Sequence, residues 1–375
     1  MTLQELTTRV KALAREAGFD LVGIAPLDAL PELEKLSEWL ERGFAGEMNY
    51  LSDPRRRDPQ SVLPGARSAI VVGLNYNTPQ PYSTEVPLDP ERGWVSRYAW
   101  GEDYHDAVRE KLERLLAALR GEVQITFDAK VYVDTGPVLE RALAKHAGLG
   151  WLAKNTCVLN AEIGSWFFLG VILTTLELAP DSPLPDQCGS CTLCIEACPT
   201  GAITAPYLLD SRRCISYLTI ELRGPVPEEF REPMGRHVFG CDICPDVCPY
   251  NRPAEAGGCV PPSGIAAFAP REVQTQKARS ENRDAPSPAA PAAGKESLFH
   301  PQLGWLAQLS EEDFRRIFQK SAIKRAKWRG LLRNVLVAIG NSGNPRFIPL
   351  LKEFAAGQDP LLAEHASWAL KQLDA

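Results

Sequence analysis

The sequence has no run near the roughly 18 to 20 consecutive apolar residues that a membrane-crossing helix needs, and its first thirty residues lack the basic and then apolar segments of an export signal. These absences predict a cytoplasmic protein with no membrane partner. General positive charge is missing too: 41 Lys and Arg against 47 Asp and Glu leave a net charge of −6, which excludes a surface that is basic everywhere but allows a local polyanion-binding patch. Ten cysteines could form a disulfide framework in a small secreted protein, but the lack of an export signal argues against one. Eight of them crowd between Cys188 and Cys248, which points to metal. At 375 residues, 45% hydrophobic and 23% charged, the chain is ordinary in composition and long enough for two or three cores.

Thr2 and Glu5 form a capping-box pattern ahead of a helix with Leu3, Leu6, Val10, Leu13 and Ala17 inward. Strand-like runs at Phe19–Ile24, Ala69–Leu74, Lys130–Asp134 and Trp166–Leu178 alternate with helical spacing at Glu32–Arg42, Tyr104–Arg120 and Pro137–His146. This predicts an α/β or α+β domain over 1–180, with the direction of its strands open. Residues 181–252 are rich in Cys followed by Pro and read as a separate metal module. Residues 253–296 are Pro- and Ala-rich with few large apolar residues, the composition of a linker or loop. Residues 297–375 read as helices, broken at Gly340–Pro345, whose pairing resembles a HEAT-type repeat.

The first cysteine run, Cys188, Cys191, Cys194 and Cys198-Pro199, has the C-x2-C-x2-C-x3-C-P spacing of bacterial ferredoxins. The second is Cys214, then Cys241, Cys244 and Cys248-Pro249, with a long insertion after its first member. In such modules the fourth cysteine of each run serves the other cluster. That crossing assigns Cys188, Cys191, Cys194 and Cys248 to one [4Fe-4S] cluster and Cys198, Cys214, Cys241 and Cys244 to the second. Zinc would leave both x3-C-P tails unexplained. Cys157 and Cys259 remain, read as a buried small hydrophobe and a loop thiol.

Three segments of the first domain gather aromatic, ionisable and glycine residues: Trp94–His105, Val133–Arg141 and Gly148–Thr156. Together with the cysteine runs and the stretch Lys324–Asn334, they resemble the epoxyqueuosine reductases, cobalamin-dependent enzymes that complete queuosine in transfer RNA. The resemblance covers nearly the whole chain. It implies an α+β multidomain fold: a nitroreductase-like cobalamin-binding domain, a ferredoxin-like module with two [4Fe-4S] clusters, and a HEAT-like helical domain that binds tRNA. The implied reaction removes the epoxide oxygen of epoxyqueuosine at the wobble position, with an external low-potential electron donor; a monomer is expected. The Ala254–Lys295 region is longer and poorer in structure-forming residues than the resemblance implies.

The chemistry agrees. One-electron clusters must deliver two electrons to break a C–O bond, and a cobalt corrin can accumulate both. Asp134 is the candidate proton donor, provided burial raises its pKa; its alternative role is a helix cap ahead of Pro137. Arg97, Tyr98, Trp100, His105, Gly136, Gly148, Gly150, Lys154 and Asn155 are candidate contacts to cobalamin or substrate. For Gly148 and Gly150 the competing role is a helix stop. Asp103-Tyr104-His105 starts like the D-x-H-x-x-G motif of cobalamin mutases, but Val108 stands at the glycine. His105 is therefore read as a substrate contact or a helix-surface residue, and Glu140 as the partner of a neighbouring base. Between Arg315 and Arg333 lie eight basic residues and no acidic one, with Trp328 among them. Lys324, Arg325, Lys327, Arg329 and Arg333 are the candidate RNA contacts, against the alternative of a solvated basic face. A corrinoid reductive dehalogenase and an electron-transfer subunit are the competing functions.

Overall fold

The computed structural model describes residues 1–27, 30–252, 260–275 and 294–374. The capping box forms: Thr2 Oγ accepts the Glu5 N–H at 3.2 Å, and the Glu5 carboxylate accepts the Thr2 N–H at 2.8 Å. Helix Leu3–Glu16 then buries Val10 and Leu13 as expected, while Leu3, in its unpacked first turn, stays exposed.

Four strands make the central sheet, in the order Leu21–Pro26, Ser68–Asn75, Phe167–Thr174 and Ala129–Tyr132. Every pairing is antiparallel, which settles the direction left open by the sequence and makes the domain α+β. Ser68–Asn75 is buried along its whole length because both faces are covered. Ile70, Val72 and Leu74 face helices Leu3–Glu16 and Tyr104–Glu122, whereas Ala69 and Val71 face helix Glu140–His146.

The metal module is interleaved with this domain. The short strand Trp94–Val95 pairs in parallel with His237–Phe239, which lies in the insertion between Cys214 and Cys241. That insertion also supplies Leu218, Val226, Met234, Val238 and Phe239 to the core that takes Trp94 and Trp100 from one side and Leu331, Val335 and Leu336 from the other. Helix Lys327–Gly340 is the centre of the C-terminal unit, buried from Leu331 to Gly340 and packed against Pro360–Leu373, which also packs against Ile348–Ala355. No helix among the described residues is long and apolar enough to cross a membrane.

Much of 253–296, with Cys259, lies outside the described residues. Its described parts are not linker-like, because backbone pairing and side-chain burial fix them. Glu272–Thr275 pairs with Gly294–Ser297. Phe268 is buried against the sheet's helical face, and Val260 against Tyr82 and Trp166.

Candidate active site and metal module

Each cysteine run turns into a one-turn helix, Leu193–Glu196 and Ile243–Asp246, and the two helices lie against each other. The thiols fall into two groups by mutual proximity. Cys194 feels Cys188 and Cys191, and Cys248 feels Cys188 and Cys194. Cys214 feels Cys198, and Cys244 feels Cys241, Cys214 and Cys198. These neighbours are compatible with the crossed ligation, which stays a proposal. Among the described residues no three His, Cys, Asp or Glu side chains are drawn together tightly enough to hold a single ion. The C-x2-C-x2-C-x3-C-P spacing of the first run, with its x3-C-P tail repeated in the second, suits [4Fe-4S] clusters better than zinc. Cys157 is half-buried between the sets, within electrostatic reach of Cys194, Cys214 and Cys244, and burial pushes its thiol up to about 11.

The catalytic candidates meet at the end of the sheet. Asp134 follows strand Ala129–Tyr132 in a left-handed conformation, φ 56°, that a non-glycine residue adopts only at a cost. The Glu140 carboxylate holds it there, accepting the Asp134 N–H at 2.7 Å. His105, in the first turn of helix Tyr104–Glu122, is fixed between two carboxylates. Its Nδ1 lies 2.7 Å from Asp103 Oδ1, and its Nε2 lies 3.5 Å from Asp134 Oδ2. Burial works against charge on the ring, yet the Asp103 hydrogen bond and the charges of Asp103 and Asp134 outweigh it and lift His105 to about 9. Tyr104 stacks at 4.2 Å on Phe168 and at 4.1 Å on His105, beside Asp134.

This arrangement corrects the expected protonation. Burial alone would raise the Asp134 pKa, but the neighbouring His105, whose Nε2 is 3.5 Å away with no hydrogen-bond partner of its own, holds it below the ordinary carboxylate range. Its side chain is 62% exposed, so water reaches it through the mouth of the site even though protein crowds its other sides. The carboxyl that is raised is Glu140, to about 8, by burial and by the Asp134 charge. Glu140 therefore has a backbone N–H as its partner, not the expected base.

Several expected cofactor contacts have other partners. Arg97 is enclosed, giving its guanidinium to the Thr78, Gln80 and Pro81 carbonyls under the rings of Tyr82, Trp100 and Trp166. Trp100 is fully buried and donates to the Val95 carbonyl. A Cβ at Gly148 would come within 2.8 Å of the Ser182 carbonyl oxygen, and one at Gly150 within 2.3 Å of that of Leu159, so both glycines permit internal packing. Gly136 is likewise pressed on the Tyr132 ring. Lys154 clamps the first cluster loop, donating to the Gly189 and Cys191 carbonyls at 2.6 and 2.9 Å. Asn155 accepts the Cys157 N–H. Tyr98 packs at the edge of two cores, against Tyr104 and Phe239.

The basic C-terminal run is mostly engaged. Arg333 is buried, bonded to the Leu218, Leu222 and Gly224 carbonyls, so its expected RNA contact is ruled out by lack of access. Trp328 gives its indole N–H to the Leu309 carbonyl and packs on the core, where it cannot serve as a free stacking surface. Arg325 pairs with Glu221 and Arg329 with Asp359, both remaining half-exposed. Lys324 reaches into the active site and meets Asp103 at 2.6 Å. Lys327 alone of the five has no polar partner among the described residues. Asp103, Tyr104 and Glu140 join the site in space; the only sign of them along the chain is their place beside His105 and Asp134.

Two family models match: epoxyqueuosine reductase QueG, DUF1730, over residues 56–135, and a 4Fe-4S double cluster binding domain over 187–251. An epoxyqueuosine reductase of Gloeobacter violaceus is 43% identical, over 90% of this chain and 96% of its own length. Among solved structures, an epoxyqueuosine reductase bound to an epoxyqueuosine-modified tRNA-Tyr stem loop superposes with a TM-score of 0.83 at 29% identity, covering 98% of this chain and 90% of that one. That of Bacillus subtilis, seen with its Asp134 catalytic loop swung out of the active site, gives 0.81 at 28% over 98% and 90%. With identity of this degree over nearly the full length of both chains, the protein belongs to the epoxyqueuosine reductase family.

Proposed function

We propose that this chain reduces epoxyqueuosine to queuosine at the wobble position of tRNA, in the cytoplasm and as a monomer, drawing electrons from an external low-potential donor. Two electrons and two protons convert the epoxide to an alkene and water. The observation that carries the reading is the Asp103–His105–Asp134 array, poised on a left-handed loop beside a double-cluster module. An electron carrier has no use for such a proton-handling site.

The two cysteine sets would hold the clusters. Cobalamin is compatible with the residues present on two counts. His105 already has Nδ1 on Asp103 and Nε2 facing Asp134, which fits a corrin held without a protein imidazole. Beside the catalytic loop a cavity of about 250 Å³ combines Leu27, Leu33, Val138 and Leu143 with Arg57 and Asp58, an apolar floor with a polar rim that suits part of an amide-bearing corrin. When bound, cobalamin supplies the two-electron chemistry that one-electron clusters cannot.

The chain's own residues handle the proton. At neutral pH His105 is charged and Asp134 ionised, so the imidazolium is the store and Asp134 the carboxylate through which a proton reaches the departing oxygen. Glu140 fixes the loop. Asp134 remains the proposed proton donor in this shared form, and the C-terminal helices, in a HEAT-like pairing, are proposed to grip the RNA. The domain limits of 180, 252 and 296 are proposed as limits of composition, across which the cores are continuous.

The test is anaerobic incubation of reconstituted protein with epoxyqueuosine-containing tRNA and a chemical reductant, followed by mass analysis of the nucleosides. Loss of one oxygen from the modified base is expected. Protein replete in clusters and cobalamin that leaves the base unchanged would refute the reading.

A further inference from the structure

Tyr50, in the one-turn helix Asn49–Ser52, is one of the few large aromatic side chains left outside the cores, 45% exposed. Two guanidinium groups lie over its ring, Arg325 at 5.3 Å and Arg56 at 5.9 Å from the centroid. Both are held in place. Arg56 donates to the Tyr50 carbonyl at 3.2 Å and to the Val138 carbonyl at 3.0 Å, which ties this turn to the loop that follows Asp134. Arg325 is fixed by Glu221 at 2.8 and 3.1 Å.

The group borders the catalytic loop. The Asp134 charge acts on both Tyr50 and Arg325, and the Arg56 charge acts on Glu140. Turns far apart in the chain, Asn49–Ser52 with Pro54–Arg57 and Ala322–Ala326, thus meet at the mouth of the site. Arg57 and Lys327, exposed next to these turns, have no ion-pair partner among the described residues. The carboxylates that face the group are Glu221 and Asp134.

Neither the clusters nor the proton array uses Tyr50. An exposed ring with fixed guanidinium planes is the chemistry on which unpaired bases stack, while neighbouring free cations suit phosphates. We propose that Tyr50, Arg56 and Arg325 form a stacking seat for an unpaired nucleotide adjacent to the one being reduced. The inference rests on the reading that the substrate is an RNA loop, and it adds where that loop is held. Segments far apart in the chain then hold the nucleotide together.

The experiment uses the full reconstituted chain and an anticodon stem loop with 2-aminopurine beside the wobble position. Binding is followed by fluorescence, with absorbance spectra confirming that each variant keeps its clusters. In the unaltered protein stacking should quench the probe. Tyr50→Phe should retain both quenching and affinity, whereas Tyr50→Ala should lose the quenching and bind roughly 5- to 150-fold more weakly, the value of one base–aromatic stack. Wild-type quenching and affinity in Tyr50→Ala would overturn the seat, as would equal weakening in Tyr50→Phe, which would assign the effect to the hydroxyl. Conversion of epoxyqueuosine by the unaltered protein is measured in parallel. Its failure would sink the proposed activity, while the binding data still decide the seat.

Discussion

Asp103→Asn removes a buried charge and little volume, and its effect can be worked out from the surroundings of His105. The Asp103 side chain is 2% exposed and bonded to His105 on one oxygen and Lys324 on the other. Against burial, Asp103 and Asp134 together carry His105 from 6.5 to about 9, a preference for the charged ring of about 3 kcal/mol. If Asp103 supplies about half of that, its neutral replacement should lower the His105 midpoint by about one pH unit. Because the folded value is raised, the charged ring adds stability fully at pH below 6.5 and loses it as pH rises through about 9. The variant should lose this contribution earlier in the same window. Only five histidines are present, so imidazole NMR resonances can be assigned by single substitutions. Turnover against pH should show its alkaline limb move down with the His105 midpoint. An unaltered protein in which His105 titrates near 6.5, or a variant in which neither limb nor midpoint moves, would refute the proton array.

Asp134→Asn should keep both clusters, measured as iron and sulfide, and lose roughly 10²- to 10⁴-fold in turnover; a loss of only a few-fold would return Asp134 to a structural role. Cys198→Ala should damage the cluster of Cys214, Cys241 and Cys244 and spare that of Cys188, Cys191 and Cys194, so the electron paramagnetic resonance of one cluster should persist; the opposite loss would reverse the assignment. Arg333→Met leaves three backbone carbonyls without their donor and should lower unfolding free energy by at least about 2 kcal/mol in denaturant titration, with no change in the salt dependence of RNA binding. Lys327→Ala should do the reverse: unchanged stability, and a salt slope for anticodon-loop binding smaller by about 0.7 if one phosphate contact is lost.

What can be read along the chain is what local spacing dictates. The cysteines of the first run, and Cys241, Cys244 and Cys248 of the second, lie within a few residues of each other, and Thr2 and Glu5 must meet within one helical turn, so both patterns are legible. Asp134 stands out because it ends a strand-like run. The protonation around it does not, since it depends on Asp103, Glu140 and Tyr104 meeting in space. Arg97 and Arg333 mislead for a similar reason. An arginine facing carbonyls of a distant segment has the same letters around it as one facing water, and for Arg333 only the packing of the Leu218–Gly224 stretch against helix Lys327–Gly340 decides which it is. The described parts of 253–296 read as linker because Val260 and Phe268 are isolated apolar residues in a poor context, yet each fills a gap in a core built elsewhere.

The pairing of Trp94–Val95 with His237–Phe239 bears on how the protein is made. Synthesis runs from the N-terminus, and Trp94 and Trp100 share their core with residues as late as Ala369. Both tryptophans meet Phe299 edge to face, so part of their shelter is a residue made long after them. Cys214 and Cys241 pack on the same core, so segments well beyond the cysteine runs help to place them. A chain truncated before Phe299 should therefore leave both tryptophans and these thiols more open to solvent, which tryptophan fluorescence and thiol labelling would show.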